Sequence, residues 1–142
     1  MMRNFWVNLP VKDTNKSKEF YSKLGFPTNT LPGTSDQVQL VIGENNAAVM
    51  LFPVSVFKKF TKHEIVDTKQ ATEVLFSIDA ESKEEVDEIA KRALMAGGTI
   101  FGKPSENQGW MYGCGFADLG GHRWNVLYMD MSMMPKELEI ER

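Results

Sequence analysis

Cysteine is all but absent: Cys114 is the only one in 142 residues, so no intrachain disulfide can form. Nothing here points to an oxidising compartment. No apolar stretch approaches the ~20 residues of a membrane span. The start, Met1-Met2-Arg3-Asn4-Phe5-Trp6, lacks the apolar run and small-residue cleavage site of a signal peptide. A cytoplasmic protein is therefore expected. Charge of one sign is also scarce, with a formal −3, a pI of about 5.4 and no Lys/Arg run that builds a basic stripe. That gives little attraction for nucleic acid or anionic lipid, so neither nucleic acid nor membrane is expected as a partner. A Gly-rich phosphate loop, a nucleophile elbow and a CxxC pair are all missing. Nucleotide, acyl-transfer and disulfide-redox chemistry thus lack support.

What is present fits a soluble globular domain: 42% hydrophobic and 25% charged residues, with enough chain for a core. Phe5 to Val11 alternates like a strand, with Pro10 near its exit. Asp13 or Thr14 can cap a helix to Leu24 that carries Phe20, Tyr21 and Leu24 on one face, and Gly25 sits where a left-handed cap is wanted. Strands are predicted near Thr28–Leu31, Val38–Ile42 and Ala47–Phe52, separated by Pro32-Gly33 and Gly43-Glu44-Asn45-Asn46. A connector follows, in which Val56, Phe57 and Phe60 allow one short helix.

The opening pattern then repeats. Glu73 to Ile78 alternates, with Val74, Phe76 and Ile78 on one side and Glu73, Leu75 and Ser77 on the other. Ser82 and Glu85 have capping-box spacing, and Val86, Ile89, Ala90, Ala93 and Leu94 form an apolar helical stripe that Gly97-Gly98 stops. Three more strands are predicted, near Thr99–Gly102, Trp110–Phe116 and Arg123–Met129. Strand, helix, Gly stop and three strands thus occur twice, which marks a duplicated supersecondary unit. The expected organisation is a single domain: module one 4–53, connector 54–71, module two 72–130 and a tail 131–142 that either docks or frays. Neither module would bury much alone, so a shared core is expected.

Two segments resemble the vicinal-oxygen-chelate superfamily, which holds glyoxalase I, extradiol dioxygenases and bleomycin- and fosfomycin-resistance proteins. One is Trp6-Val7-Asn8-Leu9-Pro10-Val11-Lys12-Asp13 with Ser17, Phe20-Tyr21 and Leu24-Gly25-Phe26. The other is Phe116-Ala117-Asp118-Leu119-Gly120-Gly121-His122-Arg123-Trp124, similar to the family's Asp-Pro-Asp-Gly hairpin with Leu119-Gly120 in place of Pro-Asp. The resemblance covers Phe5 to about Met129 and looks closest to the branch of predicted lactoylglutathione lyases. It implies an α+β fold, in which two βαβββ modules form curved mixed sheets around a pocket with helices outside. It also implies a homodimer, with modules paired within the chain or swapped across it.

Metal-dependent relatives place His, Gln or Glu at four inward strand positions. Carried onto this chain, those positions fall on Trp6, Met50 (Phe52 if the register slips by two), Glu73 and Asn125. Glu73 alone is a strong donor, and a tight site needs three or more. No cofactor is therefore expected; a metal, if present, would be a divalent cation near Glu73.

Each candidate also has a structural reading. Glu73 is either an acid or base with a raised pKa in an apolar site, or a carboxylate paired with Lys or Arg or set at a wet rim. Trp6, Met50 and Phe52 form either a ligand wall or plain filling, and Asn8 and Asn125 either orient a ligand by hydrogen bonds or bond each other or backbone. Leu75, Ser77 and Leu127 complete the ligand-facing set, and Trp110 and Tyr112 either lid the pocket or cover the sheet. His122 is expected on a surface hairpin, His63 in solvent, and Cys114 as a buried structural thiol. Two functions stand. The first is metal-free binding of a small molecule in an apolar pocket. The second is a lyase, isomerase or dioxygenase-like enzyme with a degenerate metal site or with Glu73 as general base.

Overall fold

A computed structural model describes residues 1–30 and 36–136. The predicted end of a strand at Leu31, the Pro32-Gly33 turn and the charged end from 137 to 142 lie outside the described residues. The chain divides into two compact units, Met1–Ala71 and Thr72–Arg142.

In the first unit, strand β1 (Trp6–Val11) leads into helix α1 (Thr14–Leu24). Asp13 is the cap: its carboxylate accepts the Lys16 amide at 3.0 Å, which satisfies one of the donors a helix start leaves open. Gly25 ends the helix at φ 102°, and its amide returns to the Ser22 carbonyl. Strands β2 (Thr28–Thr30), β3 (Val38–Ile42) and β4 (Ala47–Pro53) follow, in the order β1-β4-β3-β2. Parallel pairing of β1 with β4 accompanies two antiparallel pairs, and α1 packs across β2, β3 and β4. Phe20, Tyr21 and Leu24 meet Val38, Leu40, Val49 and Leu51 there, all at most 5% exposed. Helix α2 (Val54–Thr61) then contacts β1 and β4.

The second unit repeats this order with β5 (Leu75–Asp79), α3 (Lys83–Met95), β6 (Thr99–Asn107), β7 (Met111–Ala117) and β8 (Arg123–Met129), in the sheet order β5-β8-β7-β6. Two mixed four-stranded sheets with helices make this the expected α+β pair of βαβββ modules. Ser82 caps α3 by accepting the Glu85 amide at 3.1 Å. Val86, Ala90 and Ala93 are buried, whereas Leu94 is exposed, so the apolar stripe is narrower than its spacing predicts. Two further boundaries differ. Strand β5 begins at Leu75, leaving Glu73 on the bend before it. Strand β6 runs past Gly102 to Asn107 with two register shifts. As an edge strand it tolerates Pro104, and Gln108 and Gly109 close a tight hairpin with φ 58° and 79°.

The hairpin between β7 and β8 is held by Asp118. Its Oδ1 accepts the amides of Gly120 (3.0 Å) and His122 (2.8 Å), while its own amide donates to the His122 carbonyl. Leu119 packs against the end of α3: a Cβ on Gly97 would lie 3.3 Å from its Cδ2. None of the described helices is long and apolar enough to cross a membrane.

Phe116 is fully buried and stacks on Trp124 with centroids 6.1 Å apart. Truncation to alanine, Phe116→Ala, should cost about 3–5 kcal/mol in urea denaturation. A loss under about 1 kcal/mol would contradict this packing.

Candidate functional site

Side chains alternate across a strand, so each sheet has one face under its helix and one face away from it. In the first unit, Leu9, Val11, Val49 and Leu51 point to α1, which leaves Trp6, Asn8, Met50 and Phe52 on the far face. Asn8 lies directly opposite Met50, which in turn faces Gln39. Trp6 lies opposite Ala48, so Trp6 and Met50 form only a diagonal pair. Trp6 and Asn8 are exposed, but Met50 and Phe52 are 9% and 7% exposed. Phe60 of α2 meets Phe52 edge-on at 5.2 Å, so this unit partly covers its own far face.

The far face of the second unit carries Leu75 and Ser77 on β5 and Arg123, Asn125 and Leu127 on β8. Ser77 pairs with Asn125, which pairs with Gly115 on β7. Two glycines shape this face. A Cβ on Gly113 would lie 2.6 Å from Leu127 Cδ2, and one on Gly115 would lie 2.4 Å from the Phe101 ring. The Leu127 and Phe101 side chains therefore lie flat across β7, where any larger residue would displace them. The Arg123 guanidinium sits 4.4 Å from the Phe101 ring centroid. Sequence reasoning missed Arg123, although its parity with Asn125 was readable.

Several expected placements change. Tyr112 faces α3, not the far face, and its hydroxyl donates to Asp87 Oδ1 at 2.6 Å. That bond, followed by burial, pushes the phenol up to about 12. Tyr112 is thus a clamp on the helix rather than a lid. Trp110 precedes β7 half-buried, with its indole Nε1 enclosed and unbonded among the described residues. Glu73 is exposed on its bend. His122 is buried rather than on the surface, because it stands directly before β8 and in phase with Trp124 and Val126. His63 is exposed as expected.

A catalytic metal is a poor fit to these residues. Trp6 has no donor, the Met50 thioether is soft, Asn125 offers one carbonyl oxygen and Glu73 lies off the strand. Among the described residues, no group of three or more His, Cys, Asp or Glu side chains is placed to hold a metal ion.

A family model described as bleomycin resistance protein-like N-terminal matches residues 3–43. The chain is similar to the solved structure of hypothetical protein SA1046 from S. aureus, with 33% identity over 90% of this chain and 95% of that one and a TM-score of 0.82. A glyoxalase/bleomycin resistance protein/dioxygenase family enzyme from Burkholderia phytofirmans PsJN shares 18% identity over 87% and 96% of the two chains, with a TM-score of 0.71. A glyoxalase-related enzyme from Fulvimarina pelagi shares 14% over 90% and 88%, with a TM-score of 0.75. No curated protein matches the chain.

Cys114 lies beneath α3, where its thiol reaches the Val86 carbonyl at 3.9 Å. Burial, aided by the Asp87 charge, pushes it up to about 11. A thiol reagent at pH 8 should react only after denaturant is added; prompt reaction of the native protein would contradict this burial. The folded value exceeds the unfolded ~8.5, so the neutral thiol's contribution is complete below that pH and fades as pH rises towards 11. The stability of wild type relative to Cys114→Ala should therefore fall between pH 8 and 11, as read from urea midpoints.

Proposed function

We propose that the chain is a member of the glyoxalase/bleomycin-resistance/dioxygenase superfamily and that it binds a small molecule without a metal, in an apolar site on the far face of one of its sheets. The observation that carries this reading is the donor set. Where metal-dependent relatives hold strong ligands, this chain has Trp6, Met50, Glu73 and Asn125, of which only an exposed carboxylate would bind a metal strongly. Aromatic, thioether and amide side chains suit a flat, largely apolar ligand oriented by a few hydrogen bonds. We further propose a cytoplasmic homodimer, the arrangement of many relatives. The alternative, an enzyme with Glu73 as its base, lacks support in the geometry: a base needs to stand within hydrogen-bond reach of a bound substrate, and Glu73 stands in solvent.

Protein purified without chelator should contain no stoichiometric metal. It should show no rise in melting temperature with Ni, Zn, Mn or Fe(II), yet bind a neutral aromatic probe such as naphthamide in calorimetry. Stoichiometric metal, or a clear metal-dependent rise in Tm, would restore the metal-dependent enzyme reading.

A further inference from the structure

We propose that the far face of the second unit is a carboxylate-recognition site, with Arg123 as its anchor and a flat apolar acid as its ligand. This deepens the binding function proposed above and rests on it. The starting point is a charge with no counter-ion among the described residues. Arg123 is half-buried and its Nε is enclosed, yet the guanidinium has neither a hydrogen-bond nor an ion-pair partner among the described residues. Partly burying a charged group without a counter-ion is costly, and stacking on one ring offsets only part of that cost.

The placement of the group is built rather than incidental. Gly115 has no Cβ, which lets the Phe101 ring lie on β7, and that ring supports the guanidinium from below. A planar fork held flat presents its N–H groups edgewise, the geometry a carboxylate accepts. Asn125 lies two residues along the same strand face with Ser77 opposite it, and both supply neutral hydrogen-bonding groups. Phe101, Leu75 and Leu127 supply apolar surface. A monoanion is favoured over a phosphate dianion, because Arg123 is the one cation that the described strand pairings place on this face and Asp79, which pairs opposite Leu127, stands on it too.

The test compares naphthoate with neutral naphthamide by calorimetry on the full chain. Wild type should bind naphthoate about tenfold or more tightly than naphthamide, as a charge-assisted contact implies. Arg123→Met should erase that preference by weakening naphthoate more than naphthamide, with a melting temperature no lower than that of wild type as the folding control. Phe101→Leu, which keeps the charge but removes its support, should reduce the preference severalfold. If naphthamide binds and naphthoate binds no more tightly, or if Arg123→Met keeps the preference, the carboxylate site is wrong while the binding function stands. If neither probe binds, the binding function fails and this site fails with it.

Discussion

Two parallel strands cannot be joined by a tight turn, so the chain must leave the sheet and cross over. In each unit the first strand pairs parallel with the last, and the helix between carries the chain from one edge to the other. That crossover lays one helix on one face. Period-two alternation then sorts every strand: Leu9 and Val11, or Trp124 and Val126, go under the helix, and Asn8, or Asn125, goes away from it. The core and the candidate site are two consequences of one connection. The caps follow from it too, because a crossover helix must start and stop within a few residues of its strands. Asp13 with Gly25, and Ser82 with Gly97, mark those points by side-chain and left-handed backbone chemistry.

Much of this was legible because the signals are local. A cap is read from one residue and its spacing, and Val38–Ile42 and Arg123–Met129 are bounded by turn residues on both sides. The illegible parts depend on neighbours. Strand β7 reads Met-Tyr-Gly-Cys-Gly-Phe-Ala, and two glycines hide its alternation, so the facing of Tyr112 and Cys114 could not be fixed from sequence. Only the cross-strand register and the Tyr112–Asp87 bond settle it. Pro104 and the polar residues after it looked like the end of a strand, because the tolerance of an edge position is a property of the whole sheet. His122 reads as a turn tip in the sequence, but its amide is bound by the Asp118 carboxylate just before β8, where it is buried.

The candidate residues divide along the same line. Parity alone put Trp6, Met50 and Phe52 on one side, whereas the strand register sets Asn8 opposite Met50 and Ser77 opposite Asn125. Parity could not show that Phe52 is covered by Phe60, a contact made across a helix boundary, nor that Glu73 stops short of its strand. Arg123 is not one of the positions where metal ligands stand in relatives, and only its parity with Asn125 marks it in the sequence.

Duplication gave both units the same face, but they have filled it differently. The first unit places bulky Met50 and Phe52 on its far face and seals part of it with α2, whose Phe60 meets Phe52 there. In the second, β7 has Gly113 and Gly115 on that face, and the space they leave is taken by Leu127 and Phe101 reaching across from the neighbouring strands. Glycine in a strand weakens it by lost side-chain contact and added chain entropy, by roughly 0.5–1 kcal/mol each. A strand that carries two on one face accepts that loss for the shape it creates. Here the shape is a flat apolar floor beneath a guanidinium with amide and hydroxyl neighbours. The second unit thus sets a guanidinium, an amide and a hydroxyl beside its apolar floor, while the first buries Met50 and Phe52 on the equivalent face.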